Sequence, residues 1–160
     1  MAAGYDSVRI GVKALIVRDG QVLLNRYEAP DGTVSFEPPG GGQDHGETQV
    51  EALERECVEE IGARVEVGEL ACVYEFLNEW RARDSTPIPM FHQVNVAYWC
   101  ELAPGEVPQL GPEADGRQTG VQWLPIGELA AFDVRPENLA RWLETPAGER
   151  TLTLEPTRLV

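Results

Sequence analysis

Glu56, Glu59 and Glu60 stand at i, i+3 and i+4, a spacing that on a helix sets three carboxylates along one face. Like charges so placed destabilise a bare helix by a few tenths of a kcal/mol per pair. Two readings are open for such a face. It can be a solvated acidic surface, as most glutamate-rich helix faces are. It can instead hold a hard divalent cation such as Mg²⁺, which takes carboxylate oxygens and keeps waters that a phosphate can replace. A second feature bears on the choice. Pro39-Gly40-Gly41-Gly42 lies just upstream, where backbone must approach a ligand or take φ > 0, and main-chain carbonyls left open by glycine are ordinary ligands for hard cations.

The elements that must carry these residues follow from local signals. Thr48 with Glu51 three residues later makes a capping box, and Gly62 supplies a stop, so the intervening segment reads as a helix. Val50, Leu53, Cys57 and Ile61 recur at steps of three and four and mark its core stripe, with the glutamates on the side opposite. Upstream, Val8–Val17 is β-branched and apolar, and Asp19-Gly20 followed by Val22-Leu23-Leu24 predicts a hairpin. Residues 28–46 are rich in Gly, Pro and Asp and read as one long loop, of a length that in compact domains is often functional. Strands are expected at 65–77, 91–102 and 121–124, a loop at 103–120, a helical turn at 127–131 and a helix at 136–144 begun by proline. Residues 1–145 form the expected domain, with 146–160 a peripheral tail of the same domain.

Charge limits the partners. The 160 residues include 27 acidic and 13 basic side chains, a net charge of −14. Residues 37–79 hold 12 acidic and 2 basic side chains, against 15 and 11 in the remainder, so one quarter of the chain carries most of the imbalance. Such a balance argues against nucleic acid and anionic membranes as partners. No apolar run approaches the ~20 residues of a membrane span, and the first residues lack a signal-peptide core. Three cysteines without a CxxC pair make neither a disulfide framework nor a zinc site, and a reducing cytoplasm is the simplest location.

Gly41, five residues, Glu47, seven residues, then Arg55-Glu56-Cys57-Val58-Glu59-Glu60-Ile61-Gly62-Ala63 resembles the complete Nudix box. All seven fixed positions match, while Cys57 and Ala63 stand where aliphatic residues are usual. Weaker similarity extends to Phe36 ahead of the glycines and to Trp123-Leu124-Pro125 before Glu128-Leu129. The resemblance implies an α/β fold, an α/β/α sandwich with a mixed β-sheet, whose loop–helix–loop box holds Mg²⁺ or Mn²⁺. It implies hydrolysis of a nucleoside diphosphate linked to another group, by attack of water on phosphorus. Carried over by position, Glu56, Glu59, Glu60 and the Gly40 carbonyl would be the metal ligands. Arg55 would orient a glutamate, with Glu47 as its ion-pair partner. The base for the attacking water is Glu56 within the box, or a loop carboxylate such as Glu113 or Asp115.

Outside the box, Arg26 could reach a phosphate, and Tyr27, Phe36, Tyr74, Trp80 and Phe91 could stack on a base. Arg26, Phe36 and Trp80 are the expected substrate contacts, Trp80 because Asn78, Glu79, Arg81 and Arg83 surround it. The implied partner is a small-molecule nucleoside diphosphate derivative, bound by a monomer or homodimer. The competing class is a non-catalytic nucleotide-binding regulatory module of the same fold. Three metal carboxylates argue against it, because sensing alone does not require them.

Overall fold

A computed structural model describes residues 7–78 and 91–159. In β1 (Arg9–Arg18), Val12, Ala14 and Ile16 are buried on one face and Leu15 on the other, the pattern of a strand covered on both sides. Its neighbours among the described residues are β2 (Gln21–Glu28), β3 (Val34–Glu37), β4 (Val65–Asn78), β5 (Phe91–Leu102), β6 (Gln118–Pro125) and β7 (Thr157–Leu159). They form one mixed sheet in the order β3-β2-β1-β5-β4-β7, with β6 also paired to β2. β1 runs parallel to β5, and β5 antiparallel to β4.

One helix covers each face. Ala52, Leu53, Cys57 and Ile61 of α1 (Gln49–Ile61) pack with Val12, Ala14, Ile16 and Leu23. Leu139, Ala140, Trp142 and Leu143 of α2 (Glu137–Glu144) pack with Leu15, Val22, Leu24 and Ala97. The layering is α/β/α. Val50 departs from the expected stripe: it sits in the first turn, ahead of the first residue that reaches the core, and stays 41% exposed.

Two further corrections come from pairing rather than composition. The expected loop at 28–46 contains β3, held to β2 from Asn25↔Glu37 to Glu28↔Val34. β6 starts at Gln118 instead of 121 because Gln118 and Gly120 already pair with β2. Beyond residue 145 the chain returns along β4. The Val73 N–H donates to the Leu152 carbonyl at 2.8 Å, and β7 adds parallel to β4 from Phe76↔Thr157.

One departure from regular pairing shapes the site. β1 and β2 pair only beside their turn, at Val17↔Val22 and Arg18↔Gln21, and then diverge. The proline-glycine segment fills the gap. The Ala14 N–H donates to the Pro39 carbonyl at 2.8 Å, Val12 N–H to Gly41 at 2.9 Å, and Gln43 N–H to the Ile10 carbonyl at 3.0 Å. Gly40 has φ +135°, and a Cβ there would run into the Val12 carbonyl, so this substitute strand requires glycine.

Candidate active site

The helix that carries the glutamates is capped at both ends. The Glu51 N–H donates to Thr48 Oγ1 at 3.2 Å, the Thr48 N–H donates to Glu51 Oε2 at 2.8 Å, and Gly62 closes the helix in the left-handed region. Arg55 then acts as a hub. Its Nε and Nη2 donate to the two Glu47 oxygens at 2.6 and 3.0 Å, a two-pronged pair. Its Nη1 donates to Glu56 Oε1 at 3.0 Å and Glu59 Oε2 at 3.2 Å, and Nη2 also reaches the Gly42 carbonyl at 3.1 Å.

Glu60 turns toward the sheet. Its Oε2 accepts from Asn25 Nδ2 at 2.7 Å and from the Gly40 N–H at 2.9 Å. Lys13 Nζ donates to the Gly40 carbonyl at 3.0 Å. The glutamates therefore border the core stripe instead of lying opposite it, and Asn25, fully buried on β2, is the neighbour that receives Glu60.

Burial sets the electrostatics. It pushes the carboxyl groups of Glu56 and Glu60 above the usual carboxylate range, against the opposing pull of Arg55 on Glu56 and of Lys13 on Glu60. The hydrogen bonds from Arg55 pull Glu47 down to about 2 and push the Arg55 guanidinium up. Among the described residues no three of His, Cys, Asp and Glu form a ready chelate: Glu56 and Glu59 rest on Arg55, and Glu60 on Asn25. The donor set nevertheless fits a hard cation. Asp44, Glu47, Glu56, Glu59 and Glu60 face Arg55 and Lys13, all the donors are oxygen, and the Lys13 ammonium already sits on the Gly40 carbonyl within electrostatic reach of Glu56 and Glu60.

A cavity of about 410 Å³ opens beside this cluster. Gly40–Gly42, Glu60, Gln93 and Asn95 line it, together with Tyr27, Tyr74, Phe91 and Asp115. Arg26 is not brought there. Its neighbours Asn25 and Tyr27 face the site, so strand alternation turns Arg26 away, onto Glu28 at 2.9 Å and Thr119 Oγ1 at 2.6 Å. Phe36 belongs to the core, edge-on to Phe132 with ring centroids 5.9 Å apart. Trp80, with Arg81 and Arg83, lies outside the described residues.

The loop after β5 is moored to the end of α1. N–H groups of Gln109, Gly111 and Glu113 donate to the carbonyls of Ile61, Glu60 and Glu59 at 2.9, 2.9 and 3.1 Å, and Gln118 Nε2 reaches the Glu60 carbonyl at 2.8 Å. These are carbonyls the helix cannot use itself. The mooring sets Asp115 on the cavity wall, whereas the Glu113 side chain does not line it. Lys13, Asn25 and Gln118 are the contributors that motif reading missed. The signal for the first two is a polar residue interrupting an apolar strand, VRIGVKALIV and VLLN.

The family model for the NUDIX domain matches residues 8–144. The CTP pyrophosphohydrolase of Escherichia coli strain K12 is 31% identical over 116 residues, which span 62% of this chain and 86% of that protein. A MutT NUDIX hydrolase from Burkholderia pseudomallei superposes with a TM-score of 0.55 at 31% identity, over 76% of this chain and 85% of that one. A NUDIX hydrolase from Nitrosomonas europaea shares the fold, with a TM-score of 0.65 at 20% identity over 91% and 93% of the two chains.

Proposed function

Because the chain belongs to the Nudix family and is a pyrophosphohydrolase of that family, we propose that it cleaves a nucleoside triphosphate or a related nucleoside diphosphate derivative with the aid of Mg²⁺ or Mn²⁺. The observation that carries this reading is the convergence of Glu56 and Glu59 on one Arg55 nitrogen, with Glu60 anchored to Gly40 and Asn25 at the mouth of the cavity. A diphosphate is repelled by bare carboxylates, so its approach to this end requires neutralising charge. Glu56, Glu59, Glu60 and the Gly40 carbonyl would hold the cation. Bound there, it would supply polarisation of the P–O bond and a lowered pKa for the attacking water.

The remaining roles fall to the chain itself. Arg55, braced by Glu47, keeps Glu56 and Glu59 aimed at one point, and its charge prevents the two from repelling each other apart. Glu56, whose burial favours the protonated form, takes the proton of the attacking water on a carboxylate oxygen. Asp115, which lines the cavity, is the second candidate for that role. Lys13 neutralises charge beside the Gly40 carbonyl as phosphate enters.

CTP is the first substrate to try, because a relative of 31% identity is named for it. Residues 1–145 are assigned as the catalytic domain, with 146–160 an edge piece of the same domain. Among the described residues no helix is long and apolar enough to cross a membrane. The three cysteines are free and buried, as thiols are in a reducing compartment, which supports assignment to the cytoplasm. The test is phosphate or pyrophosphate release from a panel of nucleoside triphosphates and diphosphate derivatives with Mg²⁺ and with Mn²⁺. Glu59→Gln and Glu60→Gln should each lower kcat at least about a hundredfold. Wild-type rates in either variant would sink the ligand assignment.

A further inference from the structure

The cavity is also lined by polar and aromatic side chains that the hydrolytic reading does not use. Its floor is a lateral row across three strands. Tyr74 of β4 pairs with Asn95 of β5, which pairs with Gly11 of β1, and Phe76 pairs likewise with Gln93 and Arg9. Gln93 and Asn95 are almost wholly buried, and Gln93 Nε2 donates to Asn95 Oδ1 at 2.6 Å. Gly11 makes room for that amide pair: a Cβ there would collide with both side chains. Whichever way the two amides are assigned, their mutual bond leaves one donor group and one acceptor over. Beside them the Tyr74 hydroxyl, on a residue 2% exposed, is buried and has no hydrogen-bond partner among the described residues. An orphaned buried hydroxyl destabilises the empty site unless something pairs with it. Phe76 and Phe91 form the adjoining wall, ring centroids 6.1 Å apart, with the Arg9 guanidinium 5.6 Å above Phe91.

A neutral donor, a neutral acceptor, an unpaired hydroxyl and an aromatic wall match a flat heterocycle with a hydrogen-bonding edge. The cations of the lining, Arg9 and Arg135, suit a phosphate instead, and inorganic tripolyphosphate separates the two. We propose that this floor reads a nucleobase by its hydrogen-bonding edge, with Tyr74 as the residue that discriminates among bases. The proposal rests on the hydrolytic reading only in laying the phosphates toward Glu60.

Wild type and Tyr74→Phe are compared on CTP, UTP, ATP, GTP and inorganic tripolyphosphate, by steady-state kinetics with Mn²⁺ and by calorimetric binding in EDTA. Asn95→Ala serves as a second variant. The expected wild-type KM for its best nucleotide is at least about tenfold below that for tripolyphosphate. Tyr74→Phe raises that KM about tenfold, leaves kcat within about twofold, and narrows the spread among the four bases. Its melting temperature in the absence of nucleotide is at or above the wild type's, since the hydroxyl has no native partner to lose, and its Mn²⁺ affinity matches the wild type. An unchanged KM and base ranking in Tyr74→Phe overturns the proposal, as does tripolyphosphate binding as tightly as any nucleotide. Should the wild type release no phosphate from any compound yet bind nucleotides in EDTA with an affinity that falls in Tyr74→Phe, the hydrolytic reading fails and the base site stands.

Discussion

Asn25→Leu separates the holding of Glu60 from the stability of the fold. Asn25 is fully buried in β2, and its Nδ2 donates to Glu60 Oε2 at 2.7 Å, while its own Oδ1 has no partner among the described residues. A hydrogen bond to a charged group contributes about 1.5–3 kcal/mol, and an unsatisfied buried acceptor costs about 1–3 kcal/mol. Leucine, of similar size, removes both at once. The two terms oppose each other, so the metal-free variant should unfold within about 1 kcal/mol of wild type. Glu60, however, keeps only the Gly40 N–H at 2.9 Å to fix that oxygen. Loss of such an orienting partner weakens metal binding about 10–100-fold. The assay is urea unfolding in EDTA beside a Mn²⁺ titration followed by the paramagnetic resonance of the free ion. Mn²⁺ affinity within about twofold of wild type would refute the idea that Asn25 holds Glu60 in place. A stability loss beyond about 3 kcal/mol would show that Asn25 serves the fold instead.

Three other outcomes are expected. Gly40→Ala forces a Cβ against the Val12 carbonyl at φ +135° and should destabilise by about 3 kcal/mol or more in urea melts; a loss under about 1 kcal/mol would contradict the close approach. Glu47, held down to about 2 by Arg55, stabilises the fold above its unfolded value of 4.5, and that contribution fades as pH falls from 4.5 through about 2. Glu56 and Glu60, raised by burial, act in the opposite sense, so the difference between wild type and Glu47→Gln isolates the effect: it should shrink between pH 5 and 2 in unfolding measurements, and a constant difference would count against it. Finally, burial pushes Cys72 and Cys100 up to about 12 and Cys57 also upward, so none of the three thiols should react with a disulfide reagent at pH 8 until the chain is unfolded, a count that absorbance reads directly.

What could be read before folding was what is local. The capping box at Thr48, the stop at Gly62 and the i, i+3, i+4 carboxylates all lie within one helix, where neighbours along the chain are neighbours in space. Residues whose roles come from distant pairing escaped. β3, Val34–Glu37, is too short to stand out from the Gly-, Pro- and Asp-rich residues on either side until Asn25–Glu28 lies alongside it. Arg26 was legible as a cation but not by its face, because a strand's parity is fixed by the partners it meets. Lys13 and Asn25 approach the helix only because β1 and β2 diverge and the segment around Gly40 enters between them. Such splitting leaves no periodic trace.

The mooring of the 109–113 segment to the end of α1 has a consequence for how this site could be altered. Its three ties run from backbone N–H to backbone carbonyl, so they do not depend on which side chains the segment carries. Gly111 is the exception, since a Cβ there would strike the Glu59 carbonyl. The side chains at 112–114 can therefore be exchanged while the helix keeps its carboxylates in position, whereas Asp115 also fastens its own turn, its Oδ1 accepting the Arg117 N–H at 2.9 Å. The proposed cation-binding glutamates and a variable stretch of loop thus share one tether of main chain, and a library confined to positions 112–114 would vary the loop without loosening the helix.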